Sequence, residues 1–305
     1  MLNSLLNMTF FAQVIRISIP YILPTLGAVY SERGGVINIA LEGMLLAGAF
    51  ATTIGVFFTG SILLGITFGV FAGMSLALIH GVATVSLKVN QIITGIALNL
   101  LALGGTKFCS EYFFNSSSNS PRIAGVESLA IFENIQSPFL KELLNPFTLA
   151  IILLALLSHI VIFKTSYGLR LRAVGENPET AATLGISVTK TRYAGLLMSG
   201  FFSGLGGAWL ALDQHSFTDG MSAGRGFIAL AALIIGKWKP IPAVTACLFF
   251  GCAESVANHL QGEAIPSQFI QMIPYVLTMV VLAGFIGRST PPAADGIPYE
   301  QEQSQ

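Results

Sequence analysis

The chain has 305 residues, of which 53% are hydrophobic and only 10% charged, with zero formal net charge and a mean hydropathy of +0.73. Soluble domains carry about 25% charged residues, so this composition excludes a soluble globular protein, and the charge balance argues against a nucleic-acid partner. What remains is an all-α, polytopic membrane protein built as one domain, because several apolar runs approach the roughly 20 residues a helix needs to cross a bilayer.

The N-terminal stretch MLNSLLNMTFFAQ lacks the basic start of a cleaved signal peptide, so the first span is expected to stay in place. That span covers residues 10–30 and contains Pro20 and Pro24, which predict a kink that neighbouring helices must accommodate. Residues 31–35 (SERGG) interrupt the apolar pattern before a second span at 36–58. The interruption reads either as a short cytoplasmic turn or as a helix broken within the membrane. The third span, 61–87, carries Gly65, Gly69, Gly73, Ala77 and Gly81 at strict four-residue spacing. In lipid, where no hydrophobic force drives helices together, such a ridge lets two backbones approach closely. Helix packing is therefore the role expected for these glycines, and His80 beside them is expected to be a hydrogen-bonded residue at the helix end.

The fourth span covers 89–108. A long polar segment, 109–146, follows it with a serine-rich patch at 115–120, and a fifth span covers 147–163. The sixth span, 193–213, is again ridged by Gly200, Ser203, Gly204, Gly207 and Ala211. The apolar run at 226–236 is too short to cross alone unless it borrows residues from the polar stretch before it. Spans at 241–258 and 268–287 complete about nine crossings, with eight to ten the range, and the membrane core extends over residues 10–287. The tail, 288–305, is polar and proline-bearing and reads as disordered. By the distribution of cations, Lys88, the loop 164–192, Lys237, Lys239 and Arg288 face the cytoplasm, and 109–146 faces out.

The loop 164–192 is the longest polar interruption in the second half of the chain and carries Lys164, Arg170, Arg172, Lys190 and Arg192. A short helix is written into its middle. Asn177 suits the N-cap, Pro178 the first helical position and Glu179 the positive end of the helix dipole. Ala181 and Ala182 continue the helix, Gly185 supplies a left-handed stop, and Ile186 is the apolar residue that packs back after it. A capped helix between two spans is shaped to be gripped by another protein, although an ordinary structured loop fits the same pattern.

Polar groups inside the membrane are costly and are candidates for function. Asn38 and Glu42 are four apart on the second span, Gln91 and Asn99 project to one side of the fourth, and Glu254 and Asn258 form a further pair on the eighth. Asn38, Glu42, Gln91 and Asn99 together suit the lining of a pathway for a hydroxylated or heteroaromatic solute, since amides both donate and accept; interhelical hydrogen bonding is the alternative. The three cysteines form neither a disulfide framework nor a zinc pattern. No phosphate-binding G-x-x-x-x-G-K-[ST] loop, H-E-x-x-H pair or G-x-S-x-G elbow is present. The chain is thus expected to be non-catalytic, with no metal or cofactor of its own. Either a pore subunit driven by a separate ATPase or an ion-coupled secondary transporter would fit.

Residues 31–51 (SERGGVINIALEGMLLAGAFA) resemble a marked stretch in permease subunits of bacterial ATP-binding-cassette importers for simple sugars and, more closely, nucleosides. NQIITGIALNLLALGGT (90–106) and GRGFIALAALIIG (224–236) are similar to further blocks of that family. GLRLRAVGENPETAATLGI (168–186) resembles its ATPase-coupling segment, which would place coupling at Gly175, Glu176, Asn177, Pro178, Glu179, Ala181, Ala182, Gly185 and Ile186. The alanine spacing is offset by one from the commonest form. The resemblance implies a permease of the vitamin-B12-importer architecture in the bacterial inner membrane. It also implies a second, related permease chain, a cytoplasmic ATPase that uses ATP and magnesium, and an extracytoplasmic solute-binding protein. Relatives often carry an additional N-terminal span not evident here.

Overall fold

The computed structural model describes residues 8–125, 137–260 and 290–300, with a few isolated positions (272, 276, 279 and 280) between the last two. All regular structure among these residues is helical. Seven helices are long and apolar enough to cross a membrane: α1 (Met8–Arg33), α2 (Leu41–Thr59), α3 (Ile62–Gly81), α4 (Gln91–Phe114), α6 (Pro146–Lys164), α9 (Val188–Gln214) and α11 (Pro240–Leu260). Between them lie the short helices α5 (Pro138–Leu143), α7 (Ser166–Glu176), α8 (Pro178–Thr183) and α10 (Arg225–Ile235). Apart from those four positions, the ninth expected span, 268–287, and Arg288 fall outside the described residues.

The helix ends follow local chemistry. Ser61, Asn90, Asn145, Thr165, Asn177 and Ser187 each accept a first-turn N–H on the side chain, as N-caps do. α1 continues as one helix through Pro20 and Pro24 and is buried along most of its length, packed on α9 and α11. α3 runs into a π-helical turn at Val82–Ser86 before the chain reverses at Lys88.

The centre of the molecule is a seam of α2, α3 and α9 in which glycine meets glycine. A Cβ at Gly73 would strike the Gly200 carbonyl and lie 2.8 Å from Gly204 Cα; one at Gly55 would lie 2.8 Å from Gly65 Cα. Gly69 packs on the Gly48 carbonyl and on Thr52, and Gly81 on the Tyr193 ring. Backbones this close gain dispersion contacts and leave no space for side chains. α4 and α6, by contrast, present broad exposed apolar faces, including Ile93, Leu100, Phe108 and Leu153.

Two expectations require correction, and a third, that the apolar run at 226–236 is too short to cross alone, is met. The second span begins at Leu41, not at 36, because residues 34–40 enter the bundle as irregular backbone; Asn38 and Glu42 therefore do not share a helical face. The short apolar run at 226–236 is the helix α10, only 11 residues long, or about 16 Å at 1.5 Å per residue, half of a hydrocarbon core of about 30 Å. The irregular residues 215–224 lead into it from α9, pairing at their start with the serine-rich patch. Ser120 N–H donates to Phe217 O at 2.9 Å and Asp219 N–H to Ser118 O at 2.8 Å. Finally, the tail expected to be disordered is folded over residues 290–300, where Pro292 and Ala294 are buried and the Ala294 N–H donates to Gly175 O. The short, backbone-directed hydrogen bonds that hold it leave no trace in composition.

Candidate functional site: the coupling segment, the clasped turn and the half-helix

The loop 164–192 folds into α7 and α8. In α8, Asn177 Oδ1 accepts the Thr180 N–H at 2.9 Å, Pro178 occupies the first turn with Glu179 exposed beside it, and Gly185 follows the helix at φ +79°. The Ile186 N–H closes the end on Ala181 O at 3.1 Å. Ala181 is buried with Val174 and Val188, and Ala182 and Ile186 pack against them. Gly175 abuts the Arg33 carbonyl, where a side chain would not fit, and Glu176 lies 4.0 Å from the Arg33 guanidinium. Leu184 at the tip of α8 is 76% exposed. The helix α7 was not foreseen. Its cations Arg170 and Arg172 obscured an amphipathic pattern in which Leu171, Val174 and Gly175 face inward.

Residues 164–192 and residues 34–40 meet at the same end of the bundle, where Gly175 and Glu176 lie against Arg33 and Gly35. Arg33 Nε donates to Trp238 O at 2.9 Å, which brings the Lys237–Trp238 turn to that end as well. Trp238 Nε1 donates to Glu32 Oε2 at 2.6 Å inside the bundle.

Asn38, Gln91 and Asn99 converge, and they converge on backbone. Gln91 Oε1 accepts the Ile37 N–H at 2.7 Å, Asn99 Oδ1 accepts the Gly43 N–H at 2.8 Å, and Asn99 Nδ2 donates to Ile39 O at 3.0 Å. His80 Nε2 pairs with Ile37 O at 3.1 Å, and Asn38 Nδ2 donates to Ser199 Oγ at 2.8 Å. Irregular backbone in a membrane bundle must find partners inside the protein, since hydrocarbon supplies none. Side chains from α3 and α4 do this for residues 37–43, and Ser199 of α9 holds the Asn38 side chain. Asn38 is wholly buried and Gln91 nearly so.

Glu42 is directed elsewhere, to the start of α10. Its Oε1 accepts the Gly224 N–H and its Oε2 the Gly226 N–H, each at 2.7 Å. A carboxylate here meets both the unpaired N–H groups and the positive end of the half-helix dipole. Arg225, between those two residues, donates from Nη2 to Glu254 Oε1 at 3.1 Å, and Tyr21 hydroxyl also bonds Glu254. The pair Arg225–Glu254 and the cap Glu42 thus meet at the start of α10. The sequence signal for Arg225 is a cation opening an 11-residue apolar helix.

At the opposite end of the bundle a cavity of about 530 Å³ opens between the start of α1, α5 and the ends of α9 and α11. Its lining includes Trp209, the amides Gln13, Asn145 and Asn258, and the Arg16–Asp213 ion pair. Its volume is within the range of small-molecule sites, about 300–1,000 Å³. Among the described residues no group of His, Cys, Asp or Glu is arranged to hold a metal ion.

Comparison with known proteins agrees with this architecture. The chain is 40% identical to the guanosine ABC transporter permease protein NupQ of Bacillus subtilis (strain 168), over 92% of each chain. It is 41% identical to the nucleoside ABC transporter permease protein NupC of Lactococcus lactis, over 94% of this chain and 95% of that one. A second Bacillus subtilis protein, the guanosine ABC transporter permease protein NupP, is 28% identical over 90% of this chain and 82% of its own. Among solved structures, an inward-facing conformation of a metal-chelate-type ABC transporter superposes with a TM-score of 0.51 at 16% identity, covering 89% of this chain and 84% of that one. This last likeness concerns the fold alone. The apolar helices and the relatives make this a multi-pass protein of the bacterial cytoplasmic membrane. A family model for branched-chain amino acid transport system permease components matches residues 10–282, and the chain belongs to that family.

Proposed function

We propose that this chain is one of two permease subunits of an ATP-driven importer for nucleosides. The observation that carries the reading is α8: a short helix with its own N-cap and left-handed stop, held out between α7 and α9, in a chain with no nucleotide-binding loop. A separate ATPase, using ATP and magnesium, grips residues Gly175–Ile186 in this reading, and the chain itself is non-catalytic. A second, related permease completes the passage, consistent with the two guanosine permease proteins of Bacillus subtilis. A solute-binding protein delivers nucleoside to the outer cavity, whose amides and Trp209 offer hydrogen bonds and an aromatic surface.

In this mechanism, closure of the ATPase displaces α8, and the rigid glycine seam carries the displacement through α9 to the bundle. Asn38, Gln91 and Asn99 border the passage by shaping residues 37–43, and Glu42 does so by fixing the tip of α10. The test is uptake of labelled guanosine, adenosine, uridine and ribose by cells expressing the whole complex. Nucleoside uptake that survives collapse of proton and sodium gradients while ATP is maintained is the expected result. Uptake of ribose alone would overturn the nucleoside assignment, and uptake lost with the ion gradients would overturn ATP coupling. Gly185→Val, which places a β-branched residue at φ +79°, is expected to abolish uptake without removing the chain from the membrane.

A further inference from the structure

Residues 292–300 cross the end of the molecule that carries residues 164–192 and touch α7, α9, the turn at 34–37 and the corner before α4. The Ala294 N–H donates to Gly175 O at 2.9 Å, and the Ala293 N–H to Glu176 Oε2 at 3.3 Å, so the tail is bound to the end of α7. Tyr299 packs against the small apolar cluster of Val174, Ala181 and Val188, which joins α7, α8 and α9. From α9, the buried Arg192 donates through Nη1 to Ile297 O at 3.0 Å. Beyond it, Glu300 pairs with Lys88, at the corner before α4, at 3.2 Å.

The other side of the tail lies on the turn that leads into α2. A Cβ on Gly35 would lie 3.1 Å from Ala294 O, and one on Gly296 would lie 2.7 Å from Ile37 Cδ1. Asp295 faces the Glu32 carboxyl from α1 and the Arg192 guanidinium from α9. Ile37 is itself held by Gln91 and His80, so anything that shifts residues 34–37 is felt by α3 and α4.

We propose that residues 292–300 are a positioning strap that ties the coupling segment to the turn at 34–40, giving movement of α8 a second route into the bundle besides its chain connections to α6 and α9. This rests on the reading of α8 as the coupling helix. The strap is suited to transmission because its contacts run to backbone atoms of α7 and to the turn at once, and Gly296 at φ +78° lets it bend between them. A displaced α7 carries Ala294 with it, and Ala294 bears on Gly35.

The experiment uses the complete complex in proteoliposomes and measures labelled guanosine uptake and ATP hydrolysis together. Three variants are compared with the wild type: a truncation lacking residues 290–305, Tyr299→Ser, and Tyr299→Phe. For the truncation and for Tyr299→Ser, the ATPase is expected to co-purify at normal stoichiometry and to hydrolyse ATP. Guanosine taken up per ATP is expected to fall by at least about fivefold, the lower end of ordinary coupling energies. Tyr299→Phe keeps the apolar body and is expected to restore the wild-type ratio. A wild-type ratio in the truncated complex would overturn the strap. Loss of ATPase binding would also overturn it, by making the tail a docking element. If the truncated chain fails to accumulate, Tyr299→Ser decides in the same way. Gly185→Val, run in parallel, separates the two readings: wild-type uptake by that variant would sink the coupling helix itself, whatever the tail does.

Discussion

The glycine seam of α2, α3 and α9 and the clasped turn at 34–43 lie side by side, yet opposite means hold them together. In the seam, backbone packs directly on backbone, and the contacts have one arrangement or none. In the turn, irregular backbone is held by side-chain amides, an imidazole and a carboxylate, which can exchange one partner for another. A transporter needs both: bodies stiff enough to move as units and joints whose hydrogen bonds can be remade. The difference places the stiffness in the centre and the adjustable contacts at the turn, the tip of α10 and the strap.

Substitutions should separate the two kinds of region. The largest effect is expected in the seam: Gly73→Leu drives a side chain into the Gly200 carbonyl, and no rotamer change relieves a clash with backbone. A destabilisation of at least about 3 kcal/mol and loss of folded protein on thermal unfolding in detergent are expected. Glu42→Ala comes next. It leaves the Gly224 and Gly226 N–H groups without their acceptor and should cost about 2–3 kcal/mol, with faster hydrogen exchange confined to the start of α10. Exchange spread over the whole bundle would mean the half-helix is not a separate joint.

Asn99→Ala removes two bonds to the turn, at Gly43 N–H and Ile39 O, and should cost about 1–2 kcal/mol. Its sharper readout is altered nucleoside passage with the ATPase still bound; failure of the subunits to assemble would assign Asn99 a purely structural part. Asn177→Ala removes the cap of α8 and should cost about 1 kcal/mol locally, seen as reduced uptake per ATP with an unchanged melting temperature.

The smallest effect is a pH dependence of the strap. Burial pushes the Asp295 carboxyl up to about 7, against the opposing pull of Arg192, the Gly296 N–H and Glu32. A free aspartate titrates near about 3.9, so the docked strap binds the proton more tightly than the released one. Docking is therefore strongest below the free value and weakens as pH rises toward about 7. Hydrogen exchange at residues 293–299, corrected for its intrinsic pH dependence, should be faster at high pH. Asp295→Asn should flatten the difference, with Glu32, Glu176, Arg192 and Tyr299 left in place around it.

Much of the molecule was legible in the residues alone, where local chemistry acts at short range. The spans at 147–163 and 193–213 and the small helix at 178–183 follow from runs of apolar residues and from Asn177, Pro178 and Gly185. These signals work through i to i+4 geometry and need no distant partner. The four-residue spacing of Gly65, Gly69 and Gly73 showed that something must pack closely, but not that Gly48, Gly200 and Gly204 are what packs there.

Only the tertiary structure decided the partners of polar groups inside the bundle. Glu42 could have lined a path or capped a helix, and the choice depended on Gly224 and Gly226, more than 180 residues away. The tail read as disordered because it has few apolar residues of its own, and its order comes from Gly175, Arg192 and the turn at 34–37. The physical reason is common to both. Apolar burial is non-directional and declares itself in composition, whereas a hydrogen bond is a statement about two particular atoms, and sequence order does not say which two will meet.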